Sequence, residues 1–342
     1  MGFSIGVDLG GTNLRVAVVD DAGTLLEKLT TGTEVARGRD HVITEMCADI
    51  QQLVGKFRTA GTLYGIGIGM PGIIDLATGF LYNSPNLPGW DNYPVRDDIE
   101  RRLGTRVILE NDANAAALGE KWLGAGRDFD DICMFTLGTG VGGGIVLNGR
   151  IWHGMTGMAG ELGHFTVEPE GAPCGCGNRG CLEQYASATA IVRMAREAAA
   201  SGRAPEFERV AGGNAEFNSK VVYQLAIQGD APARQIFQTM GRSLGIVMAD
   251  MINALNLPMF IVGGGVVSAW EMFAPAVFEE VKKRSFVYRA TAPGDTGRIE
   301  PGATLITRAL LGSDAGLYGA ARLPMIADEA VAHRHARQLK RA

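Results

Sequence analysis

Residues 3–23 read FSIGVDLGGTNLRVAVVDDAG. Phe3 to Asp8 alternates and stops at Gly10-Gly11, Leu14 to Val19 is a second apolar run, and Asp20 to Gly23 has turn composition. That pattern predicts a β-hairpin with a glycine turn at its centre. Residues 132–149, ICMFTLGTGVGGGIVLNG, repeat the order: a strand over Ile132 to Leu137, a glycine turn, a strand over Gly144 to Leu147, and a turn at Asn148-Gly149. Asp8-Leu-Gly-Gly-Thr12 stands against Thr136-Leu-Gly-Thr-Gly140, 128 positions further on. Identities are few, but strand, glycine turn, strand and hairpin turn recur in register, as a duplicated α/β unit gives. Two such units predict an α/β fold with similar lobes facing each other across a cleft.

Working outward, His41 to Phe57 has helical spacing, and Gly65 to Gly69 is a short buried strand ending at Pro71-Gly72. Residues 80–98, containing NSPNLPGWDNYP, fit neither period and predict an irregular surface loop. Arg106 to Glu110 predicts a strand, Asn111-Asp112 a helix start, and Ala113 to Leu123 a helix closed by Gly124 and Gly126. Residues 201–220 predict a loop between helices, Met240 to Leu255 a long apolar helix, and Met259 to Val262 a strand. From Asp328 on, the chain is basic (HRHARQLKR) and reads as a solvated, fraying terminus.

The chain has 342 residues, 46% hydrophobic and 20% charged, enough for a real core, and its length predicts two domains. With 32 basic and 37 acidic residues the net charge is -5, which lacks the basic field of a nucleic-acid binder. The most apolar stretch, Leu244 to Trp270, is broken by Asp250, Asn253, Asn256, Pro258 and a triple glycine, so it does not predict a membrane span. No secretion signal is legible at the start, and a cytoplasmic location is expected. Glycine, at 48 residues, is about twice the usual share, without a collagen period.

Three glycine clusters each follow a predicted strand: Gly10-Gly11-Thr12, Gly138-Thr139-Gly140 with Gly142 to Gly144, and Gly263-Gly264-Gly265. Amides without a Cβ can approach phosphate oxygens, although a tight turn needs glycine for its own reasons. Three clusters together point to a nucleotide. Gly67-Ile-Gly69-Met-Pro-Gly72 formally matches the dinucleotide GxGxxG, but IIDLATG after it is no amphipathic helix, so that reading is rejected. No P-loop pattern is present.

Asp112 ends a strand and opens a helix, so its carboxylate projects where α/β folds hold ligands. By itself it reads first as a helix cap, a role that Asn111 or Asp112 would fill, and beside that as the carboxylate that a kinase for an alcohol needs near the attacking hydroxyl. Asp8, at the first glycine turn, is placed either to reach a magnesium ion or to cap the turn. His164, Cys174, Cys176 and Cys181 form a Cys3His set within eighteen residues, which predicts a closed, structural zinc site. If one ring nitrogen of His164 binds zinc, the other is a fixed donor. Glu161 and Glu183 flank the segment, suited to a polyhydroxylated ligand or to support of the metal. Cys47 and Cys133, in apolar surroundings, read as core residues.

These residues resemble the ROK family (repressors, open reading frames and kinases) of the actin and sugar-kinase superfamily, and most closely its bacterial glucokinases. The resemblance spans residues 4 to about 322 and rests on DLGGTNLR from Asp8, ENDANAAALGE from Glu110, LGTGVGGGIVLNGRIWHGMTGMAGELGH from Leu137 and CGCGNRGCLE from Cys174. It implies two actin-like, ribonuclease H-like α/β domains flanking a cleft, with a zinc-binding segment. The small domain would be residues 1–112 completed by a C-terminal helix at about 306–322. The large domain would be 113–305 with the zinc motif at 164–181, leaving 323–342 as a basic tail.

The resemblance further implies an ATP-dependent hexose 6-kinase acting on glucose, with ATP-magnesium, structural zinc and a homodimer. Asp112 would be the base, and Gly72, Asn111, Glu161, His164 and Glu183 would contact the sugar. Asp8, Gly10, Gly11, Thr12, Gly138, Thr139, Gly140, Gly263 and Gly264 would serve the nucleotide. Mannose, fructose or an N-acetylhexosamine as acceptor, polyphosphate as donor, and a non-catalytic sugar sensor are the alternatives. The family's repressors carry a helix-turn-helix ahead of the first glycine motif, which here starts at Asp8, so DNA binding is not expected. Asn13 stands where many relatives have lysine.

Overall fold

The computed structural model describes residues 2–202, 204–211, 217–294 and 301–339. Its strands are β1 (Gly2–Leu9), β2 (Asn13–Asp20), β3 (Leu25–Gly32), β4 (Thr62–Met70), β5 (Ile73–Asp75), β6 (Phe80–Asn83), β7 (Val107–Asn111), β8 (Ile132–Leu137), β9 (Val141–Leu147), β10 (Arg150–Ile151), β11 (Met259–Gly263) and β12 (Leu305–Arg308). The helices are α1 (Arg39–Phe57), α2 (Val95–Leu103), α3 (Asp112–Trp122), α4 (Glu183–Ala186), α5 (Ala188–Ala200), α6 (Pro205–Ala211), α7 (Ser219–Ile227), α8 (Ala231–Leu255), α9 (Trp270–Arg284), α10 (Tyr288–Thr291) and α11 (Ala315–Leu339).

Two five-stranded sheets carry the fold, ordered β3-β2-β1-β4-β7 and β10-β9-β8-β11-β12. Position for position the orders match. In the first, β1 runs antiparallel to β2 and parallel to β4, and β4 is parallel to β7. In the second, β11 is parallel to both β8 and β12, and β10 pairs antiparallel with β9. The repeated hairpin is therefore the first half of a repeated sheet.

The chain divides into two compact units. The first takes residues up to Asp130, Gly144–Gly160 and everything from Leu310; the second takes Asp131–Gly143 and Glu161–Ala309. The first cut falls after Asp130 rather than after Asp112 because α3 stays with the first sheet and packs on α11. A Cβ on Gly119 would lie 2.1 Å from the Ala315 carbonyl oxygen, and one on Gly319 would lie 1.6 Å from that of Ala115. The two helices touch backbone to backbone through these glycines. Gly67, first glycine of the GxGxxG string, has the same use: a Cβ there would lie 1.9 Å from the Ala320 carbonyl oxygen.

Several sequence expectations change. β3 was not foreseen, because LLEKLTTG is half exposed and lacks a clean period. Residues 80–98 contain β6 and the start of α2, and the irregular, largely exposed loop between them turns Leu87 (0% exposed) and Trp90 (1%) into the first unit's core. The long helix begins at Ala231, where the Asp230 side chain accepts from the Ala233 amide, earlier than its apolar run. Of the loop expected at 201–220, residues 205–211 and 219–220 are helical, while 203 and 212–216 lie outside the described residues. Residues 323–339, expected as a tail, continue α11; 340–342 lie outside the described residues. No described helix is long and apolar enough to cross a membrane.

Candidate active site

Strand register fixes the first half of the site. Asp8 of β1 pairs with Gly69 of β4, and Gly69 pairs with Glu110 of β7, so three strands end in one row. The first glycine turn, the Pro71-Gly72 turn and the Asn111-Asp112 corner follow from that row, at the carboxyl edge of one sheet. Parallel strands direct their C-terminal connections to the same side, which is where such sheets hold ligands.

At the first turn the Gly10 amide donates to the Asn13 carbonyl (2.9 Å) and the Thr33 hydroxyl to the Gly10 carbonyl (2.6 Å). A Cβ on Gly11 would lie 2.8 Å from the Asn86 carbonyl oxygen, so the turn is pressed against the following loop. Asn13 holds the turn through its backbone, which leaves its side-chain identity free. Arg15 Nη1 lies 2.7 Å from Asp8 Oδ2. Burial pushes the Asp8 carboxyl up, against the hydrogen bond and charge of Arg15 and with the charge of Asp314 adding to it.

Asn111 caps α3, its Oδ1 accepting from the amides of Ala113 (2.9 Å) and Asn114 (3.3 Å). Asp112 is the first helical residue, and its Oδ1 also accepts from the Ala113 amide (2.9 Å). Of the two residues that the sequence offered as the cap, Asn111 takes that role and Asp112 adjoins it. Asn111 Nδ2 reaches the Gly72 carbonyl at 3.4 Å. Gly72 has φ 121°, and a Cβ there would lie 2.5 Å from the Asn83 carbonyl oxygen, so glycine is required. Glu110 and His153, which the sequence analysis did not single out, also belong here: Glu110 Oε2 lies 2.6 Å from His153 Nε2. An acid at the end of an otherwise apolar strand, VILEN, was the available signal.

In the second unit, Gly263 pairs with Thr136, which brings the turns after β8 and β11 to one sheet edge. The Gly138 carbonyl accepts from the Ala188 amide (2.8 Å) and the Thr139 carbonyl from the Thr189 hydroxyl (2.8 Å), so the turn rests on the first residues of α5. Gly264, at φ 88°, sits where a Cβ would meet the Leu137 carbonyl oxygen at 2.4 Å. A cavity of about 490 Å³ opens beside Thr139, lined by Ala188, Thr189, Val192, Arg193, Arg196, Glu197, Asn218 and Ser219. Nothing in the sequence marked it, because its walls come from α5 and the start of α7.

His164, Cys174, Cys176 and Cys181 place one ligand atom each within 4.8 Å of one another. Cys176 Sγ lies 3.7 Å from Cys181 Sγ, and Cys174 Sγ 3.7 Å from His164 Nδ1. Tetrahedral zinc with bonds of about 2.3 Å to sulfur would set sulfurs about 3.8 Å apart, so the donor set fits the ion. Its second ring nitrogen, Nε2, lies 3.9 Å from Glu161 Oε2. Burial pushes the Glu161 carboxyl up; His164 opposes the shift and the charge of Glu183 adds to it. Glu183 opens α4 and accepts from the Val141 amide at 3.0 Å, and a Cβ on Gly140 would lie 2.3 Å from its Oε2. Glu183 therefore touches the second glycine turn as well as flanking the metal segment. Cys47 and Cys133 are buried, as expected.

The ROK family model matches residues 4–325. A glucokinase of Thermotoga maritima is 40% identical over 320 residues, covering 93% of this chain and 96% of its own. A glucokinase of Halalkalibacterium halodurans is 38% identical over 317 residues, covering 92% of each. The crystal structure of a ROK family glucokinase from Streptomyces griseus in complex with glucose and AMPPNP matches at TM-score 0.73 and 36% identity, covering 94% of this chain and 99% of that one. By its sequence motifs, its sheet architecture and these likenesses, the chain belongs to the ROK family.

Proposed function

We infer that this protein is an ATP-dependent glucokinase, transferring the γ-phosphoryl group of ATP to the 6-hydroxyl of glucose. The observation that carries the reading is the row Asp8–Gly69–Glu110, which sets a phosphate-type glycine turn and a carboxylate at a helix start on one sheet edge. Relatives at 38% and 40% identity, named glucokinases, supply the acceptor.

Asp112 orients the hydroxyl and takes its proton as the oxygen–phosphorus bond forms and the bond from the γ-phosphorus to the β–γ bridging oxygen breaks. ADP leaves with that oxygen. Asn111, Glu161, His164, Glu183 and the Gly72 turn hold sugar hydroxyls. Gly10, Gly11, Thr12, Gly138, Thr139, Gly140, Gly263 and Gly264 supply amides and hydroxyls to the nucleotide, and Asp8 would reach its magnesium directly or through the ion's water. The cavity beside Thr139 suits the nucleoside, with Ala188 and Val192 as apolar wall. His164, Cys174, Cys176 and Cys181 would hold zinc as a closed structural site, whose chemistry is to stiffen this segment and fix the His164 ring.

The reading includes a cytoplasmic enzyme and a homodimer. A Cys3His metal-type set suits a reducing compartment, and twofold closure is the commonest symmetry. The test is ADP release with ATP-magnesium, and separately with polyphosphate, across glucose, mannose, fructose and the N-acetylhexosamines. Dominant turnover of glucose with ATP is expected, and Asp112→Asn is expected to lower kcat about 10²- to 10⁴-fold while glucose still binds. Preference for another sugar, or no turnover with ATP, overturns the reading.

A further inference from the structure

Glu110 is 2% exposed, yet both of its carboxylate oxygens are engaged. Oε1 accepts from the Asn111 amide (3.0 Å) and from Asn114 Nδ2 (3.1 Å), and Oε2 meets His153 Nε2. His153 is the head of the glycine-rich segment leading to Glu161. Its carbonyl accepts from the amides of Gly157 (3.1 Å) and Ala159 (3.2 Å). One buried carboxylate thus joins the end of β7, the first turn of α3 and this loop. Asn111, held by Glu110 on its amide, holds the Gly72 carbonyl on its side chain.

We propose that His153 is a positioning residue for phosphoryl transfer, acting through Glu110 to fix the Asn111–Asp112 corner. The inference rests on the reading of Asp112 as the base. An ionised carboxylate accepts stronger hydrogen bonds than a neutral one, and it stays ionised in a nearly dry site only beside a cation. The hydrogen bond to Glu110 raises the proton affinity of His153, outweighing its partial burial, and the charge of Glu110 adds to that effect. Without His153, Oε2 of the buried Glu110 has lost its donor, and the side chain turns toward water to replace it. That turn loosens the hold of Oε1 on the amide of Asn111, one residue from Asp112. A misplacement of about 1 Å at a reacting group can cost about 10² in rate.

The experiment uses the full-length, zinc-loaded protein with ATP-magnesium saturating. His153→Ala, His153→Gln, Glu110→Gln and the double variant His153→Gln/Glu110→Gln are compared for kcat, for the KM of glucose and of ATP, and for Tm. His153→Ala is expected to lower kcat/KM for glucose about 10- to 100-fold with the KM for ATP unchanged. Gln, which keeps a donor but carries no charge, is expected to restore only part of that loss. The double variant is expected to be no worse than the poorer single one, because both act through one contact. Additive losses, or unchanged glucose kinetics in His153→Ala, overturn the proposal. If His153→Ala does not fold, the cycle of His153→Gln and Glu110→Gln decides alone. Asp112→Asn runs beside them: turnover that survives it overturns the base assignment, whereas the coupling of His153 to Glu110 is read from the cycle.

Discussion

Glu110 and His153 are also linked to stability through pH. Because Glu110 raises the pKa of His153 above its ordinary 6.5, the folded chain holds this proton more tightly than the unfolded one. The pair's contribution is therefore complete below about pH 6.5 and is lost as pH rises through the raised value. His153 is 39% exposed, so solvent screens much of it. Urea midpoints of the parent and His153→Gln should differ most in mild acid and converge as pH rises through the raised value. A gap that stays constant with pH counts against the ion pair. The cysteines divide by the same physics of burial. Burial pushes the Cys47 thiol up to about 11 and raises that of Cys133, so neither offers thiolate near neutrality. With zinc chelated, a thiol reagent should modify the exposed Cys176 first, while Cys47 and Cys133 wait for unfolding. Fast reaction of Cys133 in folded protein would show that its surroundings are open. Cys176→Ser should release zinc and raise the KM for glucose through His164; a zinc-free variant with unchanged KM would separate the metal from the sugar.

Two uses of glycine separate the packed elements from the turns. On α3 and α11, Gly119 and Gly319 let one helix backbone lie against the other, with no room for a methyl group. Gly319→Ala should destabilise by about 1–3 kcal/mol, read as a lower urea midpoint, because the helices must part. An unchanged midpoint would mean that α11 shifts freely. Gly138 is the opposite case, since nothing stands within 4 Å of the Cβ it lacks. Gly138→Ala should leave the midpoint in place yet raise the KM for ATP about tenfold or more, as expected where a methyl group would obstruct a phosphate approaching the turn. Lost stability with unchanged ATP kinetics would make Gly138 a folding glycine. The run NSPNLPGW shows why element boundaries were only partly legible. Leu87 and Trp90 follow neither helical nor strand period, so periodicity assigned them to the surface, whereas both lie in the core. Burial without regular structure leaves no period to detect.

Ligand linkage reports on the protein as a single thermodynamic system. Glucose at about a hundred times its dissociation constant should stabilise the folded state by about 2.7 kcal/mol, visible as a higher Tm, and a sugar that does not bind should leave Tm in place. The two matched hairpins and the Cys3His set were determined by the sequence alone. The hairpin of residues 3–23 and its counterpart at 132–149 each carry strand period and turn composition within about twenty residues, and the Cys3His set lies in one short segment. Local order of that kind survives in one dimension. Tertiary structure decided the rest: that Gly67 lets α11 lie close on β4, that the cavity beside Thr139 lies between α5 and the start of α7, and that Glu110 meets His153 across 43 positions of chain. Such pairings leave no spacing rule in the sequence, because what brings them together is the register of strands and the packing of helices upon them.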